Sequence, residues 1–243
     1  DPSTLSPALD GVDIVLTAAH ALMGKGRNSS ENVDWKGHEF LIDAAKEAGV
    51  GHFIYTSAEM ASPDSPLDFS RTKYAVEQYL ANSGLSYTII RPTAFMEWHA
   101  YRLLGQKILD NGRVSILGNG QAKVNFIAVR DVVAAVDAII GDDRYRNKII
   151  ELSGPDSISR NEVAELFGKA SGKPYKVGHV PIGMVRFLGA VMKPFHPGLA
   201  RVMAFTILSE GKDSQASPAD TIAKLGLKPT TIHAFIQSLI HKA

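Results

Sequence analysis

The sequence predicts an α/β protein built on a mainly parallel sheet. Short apolar, β-branched runs at residues 12–18, 53–57 and 87–90 alternate with amphipathic helical stretches. These runs lack the polar alternation of a half-exposed strand, as expected for strands covered on both faces. After the third run Pro92 stops the strand and sends the chain across its carboxyl end, where open α/β sheets bind ligands.

The stretch from Asp68 to Phe95 organises the rest. Asp68 is placed to cap a helix, and Tyr74, Val76, Tyr79 and Leu80 supply its apolar stripe. Ser83-Gly84 ends that helix, Tyr87-Thr88-Ile89-Ile90 forms a buried strand, and a loop follows.

From the start of the chain, residues 1–9 read as a short helix closed by Gly11, and residues 12–18 as a strand. Residues 19–30 form a loop. Its Gly24-Lys25-Gly26 lacks the spacing of a phosphate-binding loop. Residues 33–48 make an amphipathic helix through Phe40, Leu41, Ala44, Ala45 and Ala48, closed by Gly49. Beyond Phe95, residues 96–110 predict a helix ending at Asn111-Gly112, and residues 114–117 and 123–127 two strands about a Gly118-Asn119-Gly120 turn. Residues 129–140 are helical, residues 149–152 a strand, and Ser159-Arg160-Asn161-Glu162 a capping box. After Gly172, prolines punctuate short helical pieces. The apolar set Met184, Val185, Phe187, Leu188, Val191 and Met192 is expected to pack over a substrate pocket rather than on a membrane surface. Pro218 and Thr231 mark two final helices.

Composition excludes several classes. A net charge of +1 gives no electrostatic case for nucleic acid or a membrane surface. There is no cysteine, so no disulfide framework and no thiolate site. Eight scattered histidines without i, i+4 pairing argue against a metal centre. No apolar run reaches the roughly 20 residues of a membrane span, and no signal-peptide pattern opens the chain. A soluble, cytoplasmic monomer or homodimer acting on a small molecule is expected.

The lysine helix and the run Ser83-Gly84-Leu85-Ser86-Tyr87-Thr88-Ile89-Ile90-Arg91-Pro92 resemble the atypical short-chain dehydrogenase/reductase superfamily, in particular its NmrA-like branch. The resemblance extends more weakly over residues 1–171, and Asn125 to Val132 resembles the segment that enters the substrate side. It implies a Rossmann-type, doubly wound NAD(P)-binding domain over residues 1–171, interleaved with substrate-side segments, and a substrate-side subdomain over residues 172–243. In the family an aspartate-proline start of this kind lies just before the fourth strand. The expectation is therefore that three strands and a glycine-rich pyrophosphate loop would precede Asp1.

By the same resemblance Lys73 donates to the ribose hydroxyls of NADP or NAD. Thr17, Ala18 and Ala19 line the cofactor, and Pro92, Thr93, Ala94 and Phe95 meet the nicotinamide. Ser57 corresponds to the serine that orients substrate, with Glu59 or Met60 as other occupants of that place. His99 is a candidate for proton transfer. The family's catalytic tyrosine, four residues before the lysine, is here Phe69. Phenylalanine keeps the ring and drops the proton. The implied activity is NAD(P)H-dependent reduction of a quinone or carbonyl compound. A non-catalytic dinucleotide-sensing regulator and a nucleotide-sugar epimerase-like protein are the alternatives.

Overall fold

A computed structural model describes residues 2–214, 216 and 220–240. The expected Pro218 helix start lies outside the described residues. A 3-10 turn, Pro2–Thr4, leads into α1 (Leu5–Ala8) and β1 (Ile14–Thr17). A 3-10 turn at Gly26–Asn28 and a π-helical stretch, Glu31–Lys36, precede α2 (Gly37–Glu47). Then come β2 (His52–Thr56), α3 (Asp68–Asn82), β3 (Tyr87–Pro92) and β4 (Ala94–Phe95). The π-helical stretch Met96–Gly105 continues into α4 (Gln106–Asn111), followed by β5 (Arg113–Leu117), β6 (Lys123–Ile127) and α5 (Val129–Ile140). The chain closes with β7 (Lys148–Leu152), β8 (Asp156–Ser159), α6 (Arg160–Ser171), β9 (Lys176–Val180), α7 (Ile182–Met192), α8 (Pro197–Ser209), α9 (Asp220–Lys224) and α10 (Ile232–Ile240).

The chain forms two compact units. The first comprises Asp1–Arg91, Ile139–Glu151 and Met192–Val202; the second comprises Pro92–Ala138, Leu152–Val191 and Met203–Ala243.

In the first unit the sheet order is β1-β2-β3-β7, with β1, β2 and β3 parallel. In register, Leu16 pairs with Ile54 and Ile54 with Thr88, so the carboxyl ends of the three strands align. One face carries the core of Val15, Phe53, Tyr55 and Ile89 against Ile42 and Ala45 of α2 and Val76 and Leu80 of α3. The inner face of α2 is His38, Ile42 and Ala45, while Phe40 is exposed, against the stripe predicted. On α3 the buried residues are Ser70, Lys73, Val76, Glu77 and Leu80. Tyr74 and Tyr79 sit at its margins. Two charged groups therefore lie where periodicity placed apolar ones. Asp68 is also not the cap: Leu67 holds that position, and the Asp68 carboxylate accepts from Phe69 N and Arg201 Nε.

The second unit packs Met96, Ala100, Leu104, Phe126, Val163, Phe167, Phe235 and Ile236 into a separate core. Gly112 ends α4 at φ 64°, a left-handed position. The capping box opens α6 as predicted: Ser159 Oγ accepts from Glu162 N, and Glu162 accepts from Ser159 N. The expected hairpin of β5 and β6 does not form. β5 pairs in parallel with β9, and β6 pairs with β4 and β8. The Gly118-Asn119-Gly120 turn is instead tied to distant groups, with Asn119 N donating to Glu210 and Asn161 Nδ2 donating to Asn119 O. On α7 Met184, Phe187, Leu188 and Val191 are exposed and Val185 is buried, so the apolar face expected to pack is open.

Candidate functional site

At the carboxyl end of β2, two residues of α3 reach the strand. Lys73 is 3% exposed, and its Nζ donates to Thr56 O at 2.9 Å. That leaves two ammonium N–H groups without a protein acceptor among the described residues. Nζ stands 4.8 Å from the centre of the Tyr55 ring and 5.7 Å from that of Phe69. Burial lowers its pKa to about 8, against the opposing pull of Asp34 and Glu77. The depth of Lys73 corrects the partly exposed helix lysine that its spacing suggests.

Tyr55 forms the floor beneath it. The ring is fully buried, and its hydroxyl has no hydrogen-bond partner among the described residues. Burial first, then Asp34 and Glu77, raises its pKa, so the phenol keeps its proton. His38 meets the Tyr55 ring edge-on at 5.0 Å. Its Nδ1 faces the carbonyls of Val33 and Asp34, which makes Nδ1 the protonated nitrogen. Nε2 therefore accepts from Thr17 Oγ1 at 3.2 Å. Burial, with Lys73 adding to it, lowers the His38 pKa and keeps the ring neutral. The Thr17 hydroxyl is thus occupied, while Ala18 and Ala19 are small and exposed beyond it. The buried Asp34 accepts from Ala21 N at 2.8 Å and from Ser30 Oγ at 2.5 Å, tying both ends of the loop after β1.

Ser57 follows β2 and is 6% exposed. Its N–H donates to Ile90 O and its hydroxyl donates to Glu77 Oε1 at 2.5 Å. Arg91 clamps the same carboxylate, Nε to Oε1 at 2.9 Å and the terminal nitrogen to Oε2 at 2.5 Å. Thr17, Ser57 and Lys73 are thus brought to the carboxyl ends of β1 and β2, with Tyr55, His38, Asp34 and Glu77 around them. Sequence reading missed the last three. For Glu77 the available signal was its place one turn after Lys73, on the inward face that Val76 and Leu80 share.

Pro92, Thr93, Ala94, Phe95 and His99 belong to the second unit. Thr93 N donates to Leu152 O, and its hydroxyl donates to Asn125 Oδ1. Asn125 also bonds Gly154, through its amide to Gly154 O and its oxygen from Gly154 N. Ala94 and Phe95 pair with Phe126 and Ile127. Burial lowers the His99 pKa to about 4, with Arg160 adding to it and the Phe95 carbonyl opposing it. Its imidazole is therefore neutral near pH 7. Among the described residues no cluster of three potential metal ligands occurs, and no helix is long and apolar enough to cross a membrane.

The model of the NmrA-like family matches residues 1–236. Photosystem II assembly factor Ycf39 of Synechocystis sp. is 28% identical over 245 residues, covering 97% of this chain and 73% of that protein. NAD(P)H azoreductase of Xenophilus azovorans is 29% identical over 235 residues, covering 96% of this chain and 77% of its own length. The crystal structure of NADPH-dependent quinone oxidoreductase QOR2 from Escherichia coli, complexed with NADPH, superimposes with a TM-score of 0.74. It is 26% identical and covers 98% of this chain and 80% of that one. The shared architecture is the Rossmann-type α/β fold expected from the sequence.

Proposed function

The chain belongs to the NmrA-like family, and from that membership we propose that it is an NAD(P)H-dependent oxidoreductase whose acceptor is a quinone or a similarly electron-poor carbonyl compound. The observation that carries the reading is Lys73: buried at the strand end, held by Thr56 O, with two N–H groups to spare. A buried cation with unused donors fits vicinal ribose hydroxyls, which accept in pairs. The small, exposed Ala18 and Ala19 leave backbone accessible beside it. The family resemblance assigns Pro92 to Phe95 to the nicotinamide.

The bound dinucleotide would supply the hydride. The protein's own part is orientation and electrostatics. Lys73 holds the ribose and places positive charge near the reacting carbonyl oxygen. Phe69 presents a ring without a proton beside that charge. The Tyr55 phenol retains its proton. This side-chain set offers a reacting oxygen little acid assistance. An acceptor whose reduction needs little protonation in the transition state suits it, and quinones meet that condition. The similarity to an NAD(P)H azoreductase and to a quinone oxidoreductase agrees with such a choice.

A second reading keeps the cofactor and drops the turnover. The missing tyrosine at Phe69 favours a dinucleotide-sensing protein, and the similarity to an assembly factor is compatible with that. One experiment separates them: NADPH with a panel of quinones, ketones and azo compounds, followed at the nicotinamide absorbance. Oxidation with quinones supports the reductase. Saturable NADPH binding with no oxidation by any acceptor supports the sensor.

A further inference from the structure

The hydroxyl of Ser57 has one proton, and its destination is visible. Glu77 is fully buried on α3, and both its oxygens face Arg91. The Ser57 hydroxyl lies 2.5 Å from Glu77 Oε1. An ionised carboxylate only accepts hydrogen bonds, so the serine must be the donor. Turning that proton elsewhere would take a hydrogen bond from a fully buried carboxylate. What Ser57 has left to offer is lone pairs.

We propose that Glu77 is a positioning residue that fixes Ser57 as a hydrogen-bond acceptor toward the bound ligand. The inference rests on reading this strand end as the dinucleotide and substrate site. It deepens that reading by stating what the site selects. A ligand group that donates, such as an amide or a hydroxyl, is matched by Ser57. A carbonyl oxygen, which needs a donor, is not. Phe69 removes one hydroxyl donor from this site by its composition, and Glu77 removes the other by claiming its proton. Both features act in the same direction, against ordinary ketones and aldehydes. Arg91 completes the device. Paired with both carboxylate oxygens, it orients Glu77 at the serine.

The test is Glu77→Gln. With the glutamine oxygen on the terminal nitrogen of Arg91, its NH2 takes the Oε1 place and donates to Ser57 Oγ, at the loss of the Arg91 Nε bond. The serine then accepts from within the protein and its proton is free to point outward. The expected result is a rise of about tenfold in the ratio of ketone to quinone kcat/KM, the effect of one hydrogen bond. The rise should vanish in the double variant Glu77→Gln/Ser57→Ala. Equal losses on both acceptors, or a gain that persists without the serine, would overturn the proposal. A second measurement stands apart from activity and from the folding of that variant. Proton NMR of the ligand-free protein should show a slowly exchanging hydroxyl signal that disappears in Ser57→Ala. Its absence from the wild type would equally overturn the proposal. If no acceptor oxidises NADPH, the reductase reading fails while the NMR result still decides the polarity of Ser57.

Discussion

Phe69→Tyr introduces the hydroxyl that the family resemblance places four residues before the lysine. Lys73 Nζ stands 5.7 Å from the centre of the Phe69 ring, one helical turn away on α3. That 5.7 Å sets the scale of the separation between the charge and a hydroxyl added to the ring. At an effective dielectric of about 20, the interaction is about 3 kcal/mol, or about two pKa units. That would bring the introduced phenol from about 10 to about 8, close to the range useful for general acid catalysis near neutrality. Such catalysis is typically worth about 10²–10⁴-fold. The lower end is expected here, because the Ser57 proton is committed to Glu77. The assay is single-turnover NADPH oxidation with a panel of aldehydes and ketones, wild type against variant, with quinones as reference. A gain on ketones of about a hundredfold, with little change on quinones, is the expected outcome. Brisk ketone reduction by the wild type would refute the reasoning, since another group would then be supplying the proton. So would a variant that binds NADPH normally and gains nothing.

Three further outcomes follow from the geometry. NADPH affinity should fall as pH rises through about 8, because Lys73 then loses the charge that its burial already disfavours; a titration of NADPH fluorescence from neutral to alkaline pH reads this, and a flat profile contradicts it. His99 has its folded pKa lowered from 6.5 to about 4. The unfolded chain therefore takes up its proton first as pH falls, and stability present above 6.5 is lost toward 4. His99→Gln should shrink the stability difference between pH 7 and pH 5 by about 2 kcal/mol in urea denaturation, whereas an unchanged difference would mean that the ring is solvated. Gly154→Ala should destabilise by at least about 3 kcal/mol in the same assay, because its Cβ would meet Phe126 O at 1.7 Å, where neither backbone can yield. A wild-type melting curve for that variant would contradict the close approach.

The strands and helices of the first unit were legible because their signals are local. The β-branched runs at β1, β2 and β3 and the helical period of α3 need no distant partner to be read. The parallel order follows from their alternation. Depth was not legible. Spacing puts Lys73 one turn from Phe69, but it does not say that the ammonium is drawn under the end of β2 and bonded to Thr56 O. Glu77 reads on α3 as one more charged helix residue. Its burial depends on Arg91, which arrives on β3 fourteen residues later, and on Ser57, twenty residues earlier. Asp34 escaped notice for the same reason, since its partners Ala21 and Ser30 lie in a loop with no pattern of its own. The hairpin expected of β5 and β6 failed because turn glycines report a bend and not a pairing. The partner of β5 is β9, which the chain reaches only after α5, β7, β8 and α6.

The central claim is that buried Lys73 is the anchor of a dinucleotide site, and Lys73→Met tests it most directly. Methionine fills much of the same volume without charge or donors, so packing against Tyr55 and Phe69 is largely kept. Charge-assisted hydrogen bonds contribute about 1.5–3 kcal/mol, so NADPH affinity should fall by about 10- to 100-fold. The measurement is a titration of NADPH fluorescence with the intact protein, alongside a thermal melt that confirms the variant is folded. Saturable binding by the wild type and this loss in a folded variant are what the account predicts. Equal affinity in the two proteins would contradict it and return Lys73 to a purely structural role beneath the end of β2.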